Sequence, residues 1–204
     1  MKRILLFIVV LSVTCLACGC KSKNNVPNII QELASILNED EGKGEGVRVA
    51  VIDSGTTAEN EHSGYALNFS EEDNGIDGIN HGVPIMNIIS HEKFGLSPKV
   101  TIYSLKVINK YGNASTESIY QALEWCLNNS IDLINMSLSF GIHSENIECL
   151  VSELVNKGVI IVASINNDNR TIDYPSMYDG VICVGKTNSL DLYEKDRCVI
   201  FQCD

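Results

Sequence analysis

The stretch VRVAVIDSG, residues 47–55, decides the fold predicted for this chain. Its first six residues are β-rich and apolar on both faces except for Arg48, which is typical of a strand buried between two layers. Asp53 ends the strand, and Gly55 permits a sharp turn away from it. The stretch therefore predicts a buried parallel strand whose carboxyl end presents a carboxylate.

Strand patterns and helical patterns alternate along the rest of the chain. Further strands are predicted at 100–108, 131–139, 159–164 and 181–185, and helices after His81 (MNIIS), at 116–129 and at 144–158, where Gly158 is the stop signal. Strands that are apolar on both faces and alternate with helices indicate a parallel sheet covered on both sides. We predict an α/β fold of three layers, a mostly parallel sheet with helices on both faces, over residues 47–204.

Length and charge favour one exported domain. The 204 residues suit a single domain with a real core. The formal net charge is −11, or near −13 without the +2 that Lys2 and Arg3 carry. Such a charge disfavours nucleic acid and anionic lipid surfaces as direct partners.

The N-terminus has the pattern of an export signal. Residues 1–20 contain Lys2 and Arg3, an apolar run over 4–13 that is short for a spanning helix, and then small residues. The end of this segment, LACGC, resembles the lipobox of bacterial lipoproteins, which makes Cys18 or Cys20 the lipidated residue. A plain secretory signal is the alternative. We expect an exported protein, lipid-anchored at the cell membrane or secreted, with residues 21–46 as a tether and a short helix (IIQELASIL).

The five cysteines beyond the signal show no spacing typical of a zinc site, so no structural metal is predicted. Cys126 and Cys183 are interpreted as small buried apolar residues. Cys198 and Cys203 are close enough in sequence to pair, but nothing in the pattern demands it.

Several blocks of sequence resemble one known family. VRVAVIDSG and NHGVPIMNIIS are similar to the segments around the catalytic aspartate and histidine of subtilisin-like serine peptidases. GLSPKVTIYSLKVIN, IDLINMSLSFG, GVIIVASINND and YPSMYDGVICVG follow in the order of that family. One such block is weak evidence, but six in order on the appropriate elements are strong. The resemblance covers the chain from about Val26 to Ser189.

The resemblance implies two catalytic residues and an oxyanion-binding residue. Asp53 would orient the imidazole of His81 and stabilise its charged form, while His81 would act as general base and then general acid. Alone, an aspartate at a strand end would more often cap the next helix, but together with His81 the catalytic interpretation is preferred. Asn167 would donate a hydrogen bond to the oxyanion, the alternative being an ordinary polar loop.

The resemblance also implies two segments that recognise substrate. They are Ser137, Leu138 and Ser139, which would line the primary specificity pocket, and Gly112, Asn113 and Ala114, which would bind substrate residues further upstream. Both would pair with an extended peptide through backbone hydrogen bonds. The Tyr174–Pro175 peptide bond falls where the family has a cis proline, so a cis bond is expected.

The sequence departs from the family at the nucleophile. The 204 residues contain no Gly-Thr-Ser block, and Ser164, Ser176 and Ser189 have the wrong context to replace it. We therefore expect the C-terminal part of the family's domain to be missing and the chain to be catalytically inactive or nearly so. Three functions stay open, namely an endopeptidase of which this is a fragment, a non-catalytic exported pseudopeptidase or peptide-binding lipoprotein, and a non-functional truncated product.

Cofactor and partner expectations follow from the same comparison. Only HEKFG separates the helix after His81 from the segment before the next strand, so the calcium loop of the family has no counterpart there. We expect no metal and no cofactor, a peptide or protein as substrate, and no nucleic acid. Contact with a membrane would occur only through the lipid anchor, and the chain would be a monomer.

Overall fold

The structure is a computed structural model that describes residues 42–57, 64–71, 74–165, 173–186 and 198–201. Several predicted features lie outside the described residues. They are the signal segment with Cys18 and Cys20, the helix IIQELASIL in the tether, and the oxyanion residue Asn167.

A seven-stranded parallel sheet forms the centre of the described part of the chain. The strands are β1 Arg48–Asp53, β2 Gly64–Asn68, β3 Thr101–Lys106, β4 Leu133–Met136, β5 Ile160–Ser164, β6 Val181–Lys186 and β7 Cys198–Phe201, in the spatial order β2-β3-β1-β4-β5-β6-β7. The helices are α1 Gly82–Ser90, α2 Thr116–Asn128 and α3 Glu145–Asn156. Every neighbouring pair of strands is parallel, so the carboxyl ends of all seven strands lie at one edge.

The predicted strands and helices form, and the differences are two additional edge strands and one shorter central strand. β2 and β7 were not predicted, and β4 is shorter than the strand expected over 131–139. β2 is an edge strand whose Tyr65 and Ala66 are exposed, so its sequence lacks the continuous apolar run of a central strand. Edge strands are recruited by backbone pairing with a neighbour, and such pairing leaves little trace in sequence.

The two faces of the sheet contact different helices. Val49 and Val51 of β1 belong to a cluster with Ile85 and Ile89 of α1. Their neighbours along the strand, such as Ala50, point the other way, into the larger cluster that α2 and α3 form with the sheet. Because successive strand residues alternate between faces, one apolar strand serves both layers. The three-layer α/β prediction is confirmed.

The helix boundaries have local causes. Ser115 and Ser144 are the N-cap residues of α2 and α3, and their hydroxyl oxygens accept hydrogen bonds from the N–H groups of Ser118 and Ile147. Gly158, one residue after the C-cap of α3, has φ of +82°, the left-handed conformation in which glycine ends helices. Among the residues that the structure describes, no helix combines the length and the apolarity needed to traverse a bilayer.

One cysteine differs from its prediction. Cys126 is buried, and burial raises the pKa of its thiol, as expected for a small apolar residue. Cys183 is buried too, but it is disulfide-bonded, so its interpretation as a merely apolar residue is wrong. Cys149 is a free cysteine at the surface.

Leu123→Ala should destabilise the chain by about 2–5 kcal/mol, because Leu123 is fully buried between α2 and the sheet and its truncation leaves a cavity. Glu124→Ala, at the adjacent exposed position of the same helix, should change stability by less than about 0.5 kcal/mol. Urea denaturation followed by circular dichroism measures both. Equal effects of the two substitutions would contradict the layer assignment.

Candidate active site

Asp53 is fixed at the carboxyl end of β1, in the middle of the sheet. Its side chain is buried, and its Oδ1 accepts a 2.7 Å hydrogen bond from the N–H of Ser54. Its carbonyl oxygen accepts hydrogen bonds from the N–H groups of Val107 and Ile108, at 2.8 and 3.1 Å, where the chain leaves β3. The Ser54 N–H therefore holds one carboxylate oxygen, and the residues that follow β3 hold the backbone of Asp53.

His81 contacts Asp53 from the N-cap position of α1, the residue directly before the helix. The distance between His81 Nδ1 and Asp53 Oδ1 is 2.7 Å, although the two residues are 28 positions apart in sequence. With the carboxylate as acceptor, Nδ1 carries the proton and Nε2 is left as the proton-accepting nitrogen. The His81 side chain is 35% exposed, so the imidazole is anchored at one nitrogen and accessible from outside.

The surroundings of His81 favour its charged form. The hydrogen bond to Asp53 raises the pKa of His81, and burial opposes this by disfavouring the charged imidazolium. The negative charges of Asp53 and Asp77 raise the pKa further, and the net direction is upward. A site in which the imidazolium is stabilised is suited to taking a proton from a neutral nucleophile.

A buried lysine supports the strand ends behind this pair. Lys106, the last residue of β3, is fully buried, and its Nζ donates hydrogen bonds to the carbonyl oxygens of Ser54 and Ile108 at 2.7 and 2.9 Å. It bridges the segments that follow β1 and β3. Lys106 was not among the predicted site residues, although a lysine at the end of an otherwise apolar strand is a signal that could have identified it.

Two further polar residues near His81 were also missed. Ser54 directly follows Asp53, and Asp77 precedes His81 by four residues. Both contact the start of α1. Their proximity in sequence to the two predicted catalytic residues was the available signal, and neither residue matches a motif by itself.

The first predicted recognition segment follows β4 directly. Ser137 and Leu138 are buried and Ser139 is exposed. The hydroxyl oxygen of Ser137 accepts a 3.1 Å hydrogen bond from Nδ2 of the buried Asn135. Because β4 is adjacent to β1, this segment lies at the same edge of the sheet as Asp53.

The second predicted recognition segment, Gly112, Asn113 and Ala114, lies in the loop after β3, on the other side of β1. All three residues are exposed. Asn109 supports the loop, because its carbonyl oxygen accepts from the N–H of Gly112 at 3.0 Å and its side-chain oxygen accepts from the N–H of Asn113 at 3.1 Å. The strand order β3-β1-β4 therefore places one predicted segment on each side of Asp53.

The serines that were not predicted as nucleophiles are buried where the structure describes them. Ser164 is buried at the end of β5, and the hydroxyl of the buried Ser176 donates to the carbonyl oxygen of Asp173 at 3.0 Å. Ser189 lies outside the described residues. The peptide bond between Tyr174 and Pro175 is cis, as predicted.

No group of three or more potential metal-ligating side chains occurs in the described ranges. The site therefore consists of a buried carboxylate, a half-buried imidazole bonded to it, and polar segments on both sides. The acid–base pair thus lies at the carboxyl edge of a parallel α/β sheet, where such sheets commonly carry their functional sites.

Comparison with known proteins identifies the family. The sequence profile of the subtilase family, peptidase S8, matches residues 44–198. The chain belongs to the subtilase family, a family of serine peptidases.

Individual relatives agree with this assignment. Subtilisin amylosacchariticus of Bacillus subtilis subsp. amylosacchariticus is 31% identical over 180 residues, which cover 81% of this chain and 47% of the relative. The thermostable alkaline protease of Halalkalibacterium halodurans is 33% identical over 149 residues, 69% of this chain and 41% of the relative. Minor extracellular protease Epr of Bacillus subtilis is 31% identical over 159 residues, 71% of this chain and 24% of the relative. The chain spans about half the length of the first of these relatives, and less of the other two.

Lys106→Met should destabilise the chain by about 1–3 kcal/mol, because it leaves two buried carbonyl oxygens without their donor. Lys99→Met is the matched control, since Lys99 is exposed and its 3.4 Å contact with Glu45 is a surface ion pair. Denaturant titration of both variants measures the difference. A loss for Lys106→Met no larger than that of the control would contradict the supporting role.

Asp53→Asn should lower the pKa of His81, because the bond to the carboxylate and its charge are both lost. Since folding raises this pKa, the stabilisation is complete below the unfolded value of about 6.5 and is lost as pH rises through the folded value. The stability difference between wild type and variant should thus be largest in acid. Histidine NMR titration and pH-dependent denaturation measure the two effects, and Asp132→Asn, at the other end of the sheet, should leave the His81 titration unchanged.

Proposed function

We propose that Asp53 and His81 are the acid and the base of a serine endopeptidase site that cleaves exported or extracellular peptides. The observation that carries this proposal is the 2.7 Å contact between His81 Nδ1 and Asp53 Oδ1. In such a site the base must be held in one tautomer, with Nε2 directed to the nucleophile. Membership of the subtilase family supports the choice of serine chemistry.

Each residue has a defined part in the proposed reaction. His81 Nε2 takes the proton of a serine hydroxyl as its oxygen attacks the substrate carbonyl carbon, and Asp53 stabilises the imidazolium that results. His81 then gives the proton to the leaving amine, and the peptide bond breaks. Asn167, three residues beyond β5 in sequence, would donate a hydrogen bond to the tetrahedral oxyanion, an interaction worth about 10²–10³ in rate.

The 204 residues contain no serine in the context that the proposed reaction requires. They contain no Gly-Thr-Ser block, and Ser164 and Ser176 are buried and do not lie in a described helix. Without a nucleophile within hydrogen-bond reach, His81 has no hydroxyl group to deprotonate for attack on the substrate. We therefore propose that the 204 residues alone hydrolyse peptides very slowly or not at all.

Peptide binding without catalysis is the second candidate function. It is favoured by the position of the two predicted recognition segments on either side of β1, which does not depend on a nucleophile. Ser137–Ser139 and Gly112–Ala114 would each offer backbone groups to an extended peptide. A pseudopeptidase or peptide-binding lipoprotein would use the same cleft that a peptidase uses.

An exported location and a peptide or protein partner are proposed from the signal pattern, the relatives and the net charge. Export is supported by the signal pattern of residues 1–20 and by a relative whose name is minor extracellular protease Epr. Lipidation would fall on Cys18 or Cys20. A net charge of −11 favours a peptide or protein partner over nucleic acid, and we propose a monomer.

Calcium does not fit the connection between α1 and β3. Calcium sites use six to eight oxygen ligands, whereas residues 91–100 include a single carboxylate, Glu92. We propose that this connection binds no calcium and that the reaction uses no cofactor.

Hydrolysis of fluorescein-labelled casein tests catalysis directly. The 204-residue chain is expected to release fluorescent fragments no faster than its His81→Ala variant, because no serine is presented to the base. Hydrolysis clearly above this control would overturn the proposed inactivity and would show that another residue serves as the nucleophile.

Binding of labelled casein peptides, followed by fluorescence anisotropy, tests the second candidate. Ser139→Pro, which removes a backbone donor from a predicted recognition segment, should weaken binding. Glu145→Pro is the matched control, because proline is tolerated at the first position of α3. Absence of binding by the wild-type chain, or equal binding by both proline variants, would contradict the peptide-binding function.

A further inference from the structure

The helix that carries the base begins without the usual cap. His81 is the N-cap residue of α1, and its side chain makes no capping hydrogen bond. The other two described helices are capped by the serine at the same position, Ser115 and Ser144. His81 cannot do the same, because its imidazole is bonded to Asp53. The first N–H groups of α1 consequently need acceptors from elsewhere.

Ser54 and Asp77 supply those acceptors. The N–H of Gly82 donates to Ser54 Oγ at 2.8 Å, and the N–H of Val83 donates to Asp77 Oδ2 at 3.0 Å. The hydroxyl of Ser54 in turn donates to Asp77 Oδ1 at 2.7 Å. The three hydrogen bonds link the residue after Asp53, the start of α1 and Asp77 into one closed set.

Asp77 is itself held against the segment that follows β1. Its N–H donates to the carbonyl oxygen of Thr56 at 2.8 Å, and the N–H of Thr56 donates to the carbonyl oxygen of Gly75 at 3.0 Å. Gly55 has φ of +111°, and a Cβ there would lie 2.2 Å from the carbonyl oxygen of Gly75. The close approach of these two segments therefore depends on a glycine and fixes Asp77 relative to the end of β1.

The charge of Asp77 is favoured by its position. Burial would raise the pKa of Asp77, but hydrogen bonds from the N–H of Val83, the Ser54 hydroxyl and the N–H groups of His81 and Ile79 together lower it. An anion at a helix N-terminus also interacts favourably with the helix dipole. Asp77 is thus ionised at neutral pH, and its negative charge helps to raise the pKa of His81.

Within the described residues, the other charged groups near this cluster are Asp53, Lys106 and Lys110. Asp53 at the end of β1 contacts the imidazole itself. Lys106 of β3 donates a hydrogen bond to the carbonyl oxygen of Ser54, and the Lys110 side chain lies against Gly78. In this part of the chain, the negative charges that raise the pKa of His81 are those of Asp53 and Asp77.

We propose that Asp77 is a positioning residue that, together with Ser54, caps α1 in place of His81 and so frees the His81 imidazole to bond Asp53. The inference rests on the proposed function only for the role of His81 as base. Because Ser54 and Asp77 cap α1 from outside the helix, His81 can occupy the N-cap position while its Nδ1–H bonds Asp53.

The test is an NMR titration of the full chain labelled at histidine, which needs no hydrolysis. In Asp77→Asn, the pKa of His81 should fall and the Nδ1–H resonance should broaden through exchange with water, because a charge and a capping acceptor are lost. Asp77→Glu, which keeps the charge, should recover part of the wild-type pKa. His81→Ala identifies the resonances of His81 among those of the four histidines.

Ser144→Ala is the matched control, because it removes a cap from α3, away from His81. It should lower the Tm while leaving the His81 pKa and the Nδ1–H resonance unchanged. The proposal is overturned if Asp77→Asn lowers the Tm but leaves both His81 signals as in wild type. Should Asp77→Asn not fold, Ser54→Ala takes its place, and a sharp, unshifted Nδ1–H resonance in that variant would overturn the proposal equally.

Outcomes of this test and of the casein assay are separable. A chain that hydrolyses casein above its His81→Ala control and shows the expected NMR changes loses the proposed inactivity and keeps the positioning role. A chain that hydrolyses no casein and shows no NMR change in Asp77→Asn or Ser54→Ala keeps the proposed inactivity and loses the positioning role.

Discussion

The hydrogen bond from His81 Nδ1 to Asp53 Oδ1 is the constraint around which this edge of the sheet is organised. It joins the last residue of β1 to the N-cap residue of α1, so the helix must start within side-chain reach of the strand end. Gly82 makes this possible, because a Cβ at that position would lie 2.7 Å from the carbonyl oxygen of Gly55. The strand end and the helix start are thus in direct backbone contact.

Burial explains why so many polar groups surround one hydrogen bond. A carboxylate taken out of water at a strand end loses hydration, and its neighbours must supply compensating donors. The Ser54 N–H does so for Asp53, the start of α1 does so for Asp77, and Lys106 donates to the carbonyl oxygens beside them. Removing one of these donors would leave its acceptor without that hydrogen bond, which costs about 1–3 kcal/mol where the acceptor is buried.

Family membership and the proposed roles concern different parts of the site. Subtilase membership accounts for the parallel sheet that brings Asp53 and His81 together. The 204 residues contain no Gly-Thr-Ser block, while the segments proposed to bind a peptide lie on either side of β1. The proposed proton transfer and the proposed peptide binding therefore depend on different residues, and each can be measured without the other.

Local patterns in the sequence determined the central strands, the three helices, the parallel three-layer arrangement and the pair Asp53 and His81, because apolar periodicity and short motifs are properties of neighbouring residues. The tertiary structure alone decided the recruitment of β2 and β7, the disulfide-bonded state of Cys183 and the contacts of Ser54, Asp77 and Lys106. These features depend on which backbone groups meet after folding. The sequence alone does not show which distant N–H or carbonyl group a serine, an aspartate or a lysine will bond after folding.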